Sequence, residues 1–169
     1  MDTEFKSKKR ELKLPNQTIS DSKFYLVAEI GNNHQGSMKM AIELIKQAKA
    51  AGANAVKTQK RNNNCLYTED FLNTKYDNSN SFGKTYGLHR DALEFGKKEY
   101  KELQAYAKEI KIEFFATPFD LESVNFLSEL NMPFYKIASA DLRNTILQKE
   151  IAKLKKPIIL STGGGSLDD

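Results

Sequence analysis

The chain has 169 residues, of which 40% are hydrophobic and 28% charged, with a formal net charge of +4 and one cysteine, Cys65. That length fits one ordinary domain with a real core. The lone cysteine excludes an internal disulfide and suggests a reducing compartment, no apolar run is long enough to cross a membrane, and the basic start lacks the apolar stretch of a secretory signal, so a cytoplasmic protein is expected.

Residues 1–22 read as a polar basic arm in which Lys6, Lys8, Lys9, Arg10 and Lys13 gather much of the excess charge. The plain reading is a solvated leader. Beyond it the charges are mixed in sign and leave no nucleic-acid footprint. "KFYLVAEIG" (23–31) is rich in β-branched and aromatic residues and predicts a strand. "SMKMAIELIKQAKAAG" follows, with Ser37 as N-cap, a stripe of Met38, Ala41, Ile42, Leu44, Ile45 and Ala48, and Gly52 as the stop, so it predicts a helix. "NAVKTQ" (54–59) is a second strand. The Asn, Ser and Gly content of 60–90 predicts a long loop with room for short helical turns, and long loops in compact domains are usually functional or disordered. "KKEYKELQAYAKEI" (97–110) is a helix with Tyr100, Leu103, Tyr106, Ala107 and Ile110 on one face. "IEFFATPF" is a strand, Asp120 caps a helix over "LESVNFLSEL", and "PFYKIAS" is a strand. Asn144 or Thr145 opens a helix over "ILQKEIAKL", and "KPIILST" is the fifth strand.

Five strands in strict alternation with helices predict an α/β fold with a parallel sheet and right-handed crossovers. An open doubly wound sheet and the first part of a (β/α)8 barrel compete. The strand ends favour the barrel. Glu29, Lys57 with Gln59, Thr117, Lys136 with Ser139, and Ser161 with Thr162 put polar groups at or near the carboxyl end of every strand. A barrel gathers all its strand ends at one site, whereas an open sheet needs ligand residues only at its switch point. "GNNHQG" also lacks the glycine spacing of a dinucleotide fingerprint. Residues 23–169 are therefore expected to be the N-terminal part of a TIM barrel, about five βα units long. Ser166 and Asp169 have the spacing of a capping box, so the sequence stops where a helix should begin and is expected to be C-terminally truncated.

Lys57 in "AVKTQ" and Lys136 in "FYKIAS" carry the most chemical information. A lysine within a buried strand is costly unless an anion meets it. Two of them predict a doubly anionic ligand, or carboxylate partners in the chain itself, with Glu29 and Asp141 as the available neutralisers. Thr117, Ser139 and Ser161 add hydroxyls suited to phosphate oxygens, and Glu29 adds a carboxylate able to orient a water or a sugar hydroxyl. His34, His89 and the backbone amides of "STGGG" are weaker candidates.

"VAEIGNNHQGSMKMAIELIKQAKAAGANAVKTQ", "FFATPFDLESVNFL", "FYKIASAD" and "ILSTGG" resemble the N-terminal barrel of the sialic acid synthase family, from about Phe24 onward. The resemblance implies condensation of phosphoenolpyruvate with an N-acetylated aldose such as N-acetylmannosamine, giving a nonulosonic 2-keto acid and phosphate. It implies a divalent Mn2+ or Mg2+ whose histidine ligands lie on later strands, so no metal ligand is expected here. It also implies a homodimer, with no nucleic acid or membrane partner. Lys57 and Lys136 match the family's phosphoenolpyruvate-binding lysines. Thr117, Ser139 and Ser161 match its ligand hydroxyls, Gln59 is a further substrate-binding candidate, and Glu29 matches an active-site glutamate. Asp141 stands where the family often has glutamate, which leaves the choice of sugar open, legionaminic-type acids included. A Schiff-base aldolase using a strand lysine and a catalytically silent fragment are the competing readings.

Overall fold

The computed structural model describes residues 10–14, 17–166 and 168; Lys6, Lys8, Lys9 and Asp169 lie outside the described residues. Its centre is a five-stranded parallel sheet of β3 (Val27–Gly31), β4 (Ala55–Lys60), β5 (Glu113–Pro118), β6 (Tyr135–Ile137) and β7 (Ile158–Leu160), arranged in chain order. The order never reverses, so the sheet has no switch point of the doubly wound kind. Four long helices connect the strands: α1 (Met38–Ala50), α5 (Lys97–Glu109), α6 (Leu121–Glu129) and α7 (Thr145–Lys153).

Local signals set these helices. Ser37 Oγ accepts from Met40 N, Asp120 Oδ1 from Ser123 N and Asn144 Oδ1 from Leu147 N, each satisfying an amide left open in a first turn. At α5 the Glu99 carboxylate reaches back to Gly96 N at 3.0 Å. All four helices bury their apolar stripes on the same side of the sheet. Ile45, Tyr100, Leu103, Val124, Leu127, Leu147 and Ile151 pack there against Ile30, Val56, Phe114, Ala116, Tyr135 and Ile137. Strand side chains alternate between faces, so the neighbouring positions fall on the opposite, helix-free face. There Val27, Ala55, Phe115, Phe134 and Ile159 form a second apolar cluster.

The N-terminal segment departs from the solvated leader. Glu11–Lys13 (β1) pairs antiparallel with Thr18–Ser20 (β2). This hairpin lays Leu14 and Ile19 against the helix-free cluster, beside Tyr25. The lysines around it hid two apolar anchors. The 60–90 segment holds three short helices, α2 (Asn63–Leu66), α3 (Glu69–Leu72) and α4 (Tyr86–Asp91), capped by Asn62, Thr68 and Thr85. The first and fourth core strands are shorter than predicted. Leu26 N turns aside to the Asn54 side chain at 2.7 Å, and Ser139 already belongs to a 3-10 turn, Ser139–Asp141. No helix among the described residues is long and apolar enough to cross a membrane.

Candidate active site

The helix-free face has two levels. Toward the amino ends of the strands lie the apolar residues just named. One step of two residues toward the carboxyl ends, the same alternation places Glu29, Lys57, Thr117, Lys136 and Ser161 above them. The register ties them together: Glu29 is level with Lys57, Gln59 with Thr117, and Lys136 with Ile159.

Lys57 is 8% exposed. Its ammonium forms an ion pair with Glu29 and donates to Thr117 Oγ1 at 2.9 Å. Burial pulls its pKa below the ordinary lysine value, with the Glu29 carboxylate opposing the shift. Lys136, half-buried, donates to Ser161 Oγ and to the Ile137 carbonyl, each at 2.5 Å. Its pKa is also lowered, first by burial and then by the charge of Lys57. The two ammonium groups thus sense each other across the face; Glu29 pairs with Lys57, and its charge also acts on Lys136, partly opposing the shift. Each lysine gives a hydrogen to a hydroxyl oxygen, which leaves the hydroxyl's own hydrogen free for another acceptor. Lys57 with Thr117 and Lys136 with Ser161 form two such pairs facing the same space.

Gly31 makes room for this arrangement. Its φ is +55, and a Cβ there would come within 3.2 Å of Glu29 Oε1 and 3.5 Å of Gln59 Nε2. A register shift between Glu29 and Gly31 accompanies the turn. Gln59 Oε1 accepts from Arg61 Nη1 at 2.7 Å. Ser139 is exposed but lies against the glycine turn after β7: a Cβ on Gly163 would sit 4.0 Å from Ser139 Oγ. Asp141 is turned to a structural task, its carboxylate accepting from Asn144 Nδ2 at 3.1 Å at the start of α7. The lysines are met by Glu29, Thr117 and Ser161 instead. His34 is 2% exposed and stacks on Phe95 with ring centres 4.1 Å apart. Its Nδ1 accepts from Gly36 N, and burial pushes its pKa from 6.5 down to about 4, so it is a neutral loop-holding residue. His89 packs among Tyr76, Phe82 and Tyr86, with Nδ1 accepting from Phe82 N at 3.2 Å.

Arg61 escaped the sequence reading. It follows β4 in the polar run "KRNNN", yet positions 57, 59 and 61 alternate onto one face, a signal present in the sequence. Its guanidinium lies over the Phe119 ring, 3.7 Å from the centre. Among the described residues no group of three His, Cys, Asp or Glu side chains converges to hold a metal ion, and Glu29 is engaged by Lys57. These residues do not fit a divalent ion by themselves.

The fold is a parallel α/β sheet that gathers cations and hydroxyls beyond an apolar floor, an arrangement suited to an anion. Comparison with known proteins makes this particular. Residues 44–169 match the model of the NeuB family. The chain is 45% identical over 139 residues to the N-acetylneuraminate-9-phosphate synthase of Drosophila melanogaster, covering 82% of this chain and 37% of that protein. It is 40% identical over 149 residues to the N,N'-diacetyllegionaminic acid synthase of Campylobacter jejuni, covering 87% of this chain and 44% of that one. The crystal structure of N-acetylneuraminic acid (sialic acid) synthetase from Leptospira borgpetersenii, in complex with citrate, superposes with a TM-score of 0.78 at 32% identity, over 95% of this chain and 52% of that one. The chain belongs to the NeuB family, and it spans about two fifths of the length of the two curated relatives.

Proposed function

We propose that this chain forms the phosphoenolpyruvate-binding part of a synthase that joins phosphoenolpyruvate to an N-acetylated aldose, N-acetylmannosamine or a relative, yielding a nonulosonic 2-keto acid and phosphate. The observation that carries the reading is the double lysine–hydroxyl pairing. Lys57 and Lys136 face one space, and Thr117 and Ser161, each already accepting from a lysine, have a hydrogen left to donate. A ligand with both carboxylate and phosphate answers all four groups. The sheet is read as the first five strands of a (β/α)8 barrel, because the strand order does not reverse and the four long helices share one face.

In the reaction, the methylene carbon of phosphoenolpyruvate forms a bond to the acceptor's aldehyde carbon, whose oxygen takes up a proton. Positive charge develops at the phosphate-bearing carbon. A water adds there and loses one proton; the carbon–oxygen bond to phosphate then breaks, and the new hydroxyl gives its remaining proton to the departing phosphate as the ketone forms. The lysines and hydroxyls hold the anion through this change. Glu29, paired with Lys57 in the structure, orients the water and takes its proton. Gln59 and Ser139 meet the acceptor, and Asp141, whose carboxylate accepts from the α7 cap Asn144, is kept as the second candidate carboxylate. A Mn2+ or Mg2+ ion is proposed to act on ligands other than those described, and a cytoplasmic homodimer is proposed as the working form.

Titration calorimetry of the chain with phosphoenolpyruvate tests the reading. Phosphoenolpyruvate should bind more tightly than pyruvate or inorganic phosphate, and Thr117→Val with Ser161→Ala should remove the preference. Equal binding of all three ligands, or a double variant that binds like the parent, refutes it.

A further inference from the structure

A cleft of about 270 Å³ lies on the helix-covered side of the sheet, away from the lysine face, lined by Lys60, Asn63, Asp91, Glu94, Glu122 and Phe126. Lys60 belongs to that side because it alternates away from Gln59 and Arg61, and its ammonium stands 4.9 Å from the centre of the Phe126 ring. Two oxygens in the cleft wall have no hydrogen-bond donor among the described residues. The first is Asn63 Oδ1. Asn63 is 5% exposed, and its Nδ2 donates to Asp91 Oδ1 at 2.7 Å. Turning the amide over would set oxygen against the Asp91 oxygen, so its orientation is fixed. The second is Glu94 Oε1, on a side chain 13% exposed. The other oxygen of Glu94 accepts from Lys60 Nζ at 3.0 Å and from the Arg61 amide at 3.3 Å. Glu122 accepts from the Asn62 side chain on the same wall.

A buried oxygen without a donor or a cation beside it is costly. The cleft is also negative. Three carboxylates, those of Asp91, Glu94 and Glu122, line it against the one ammonium of Lys60. Arg61 gives only its main chain here, since its guanidinium lies over Phe119. A water would satisfy the two oxygens but not the charge; a cation answers both. The oxygens set its kind. Among the described residues no three carboxylates converge, and a divalent ion asks for more charged oxygens than one amide and one carboxylate supply. Lys60 already holds the other oxygen of Glu94, and its repulsion of a neighbouring ion doubles when that ion is divalent. We propose that this cleft is a site for a monovalent cation such as K+, held by Asn63 Oδ1 and Glu94 Oε1 with water in the remaining positions. The ion fastens α2 and the segment after α4 to the end of β4. The site is independent of the proposed function.

The test is thermal melting of the chain in potassium nitrate and in tetramethylammonium nitrate at equal ionic strength, beside thallium-205 NMR with Tl+ standing in for K+. An ion that binds only the folded state raises the melting temperature as the site fills. Exchanging tetramethylammonium for K+ should raise it by at least about 2 °C and then level off. Tl+ should give a bound signal that K+ displaces. Two substitutions act in opposite directions. Glu94→Gln removes a charge from the site and should weaken Tl+ binding at least about tenfold. Asn63→Asp adds a charge and loses the donor to Asp91, so it should melt below the parent in tetramethylammonium and gain more from K+ than the parent does. If one variant fails to fold, the other decides. Equal melting in the two salts with no displaceable Tl+ signal would overturn the site and leave the oxygens to water. A larger response to magnesium nitrate than to K+ would overturn the monovalent assignment. Tl+ binding unchanged in Glu94→Gln, or a K+ response in Asn63→Asp no larger than the parent's, would overturn the placement.

Discussion

Replacing Lys136 by alanine separates a ligand-binding lysine from a structural one. In the unliganded fold its ammonium touches one hydroxyl and one carbonyl, forms no ion pair among the described residues, and is disfavoured by burial and by Lys57, with the Glu29 charge opposing in part. Removing it deletes a charge that burial and Lys57 disfavour more than Glu29 supports, so the melting temperature should hold or rise. Phosphoenolpyruvate binding should fall, because the anion loses a charge-assisted contact. Such contacts contribute about 1.5–3 kcal/mol, and half-burial argues for the lower part of that range. That corresponds to about 10- to 100-fold in Kd. The assay is calorimetric titration with phosphoenolpyruvate beside thermal melts with and without it. A structural lysine gives the opposite pattern: Ser161 and the Ile137 carbonyl lose their donor and stability drops. If Lys136→Ala melts well below the parent yet binds phosphoenolpyruvate with the parent's affinity, the assignment is wrong.

Borohydride with pyruvate should leave the mass of the protein unchanged, because Lys57 is engaged by Glu29 and Thr117 and Lys136 by Ser161 and the Ile137 carbonyl; a reduced adduct on Lys57 or Lys136 would revive the aldolase. Gly31→Ala should cost about 1–2 kcal/mol in denaturant unfolding, from the left-handed backbone, and should weaken phosphoenolpyruvate binding by pushing on Glu29; parent-like behaviour in both would show that the cradle is slack. His34 keeps its proton off when folded, with its pKa down from 6.5 to about 4. The unfolded chain therefore binds more protons between those values, and stability contributed by His34 is complete above pH 6.5 and lost as pH falls toward 4, by at most about 3 kcal/mol. Unfolding curves across that window should show the slope, and His34→Gln should flatten it; an unchanged slope would place the acid sensitivity elsewhere.

The core strands and long helices were legible because each leaves a periodic trace over many residues: a four-helix set of stripes and caps, and apolar runs with single lysines in them. The hairpin of β1 and β2 was not, since three-residue strands carry no period and only Leu14 and Ile19 are anchored. The same shortness hid α2, α3 and α4, although their caps, Asn62, Thr68 and Thr85, are visible afterwards. In the site, Lys57 and Lys136 stood out because a cation in an apolar strand demands a reason. What met them did not stand out. Glu29 and Asp141 were equivalent as carboxylates on paper, and only the parallel register sets Glu29 level with Lys57 while the 3-10 turn gives Asp141 to Asn144. Arg61 was overlooked because it lies past the apolar run that defines its strand.

The two-level helix-free face makes each strand behave as a ruler with separate uses along its length. At Ala55 and Phe115 a substitution is expected to act on folding; two residues on, at Lys57 and Thr117, on the proposed ligand; two further, at Gln59 and Phe119, at the rim. Under the proposed function, changes in acceptor preference are expected at the outermost marks, with the lysine level and the apolar floor beneath left unchanged. A library confined to positions 59 and 119 would test that expectation while leaving the apolar floor of Ala55 and Phe115 unchanged.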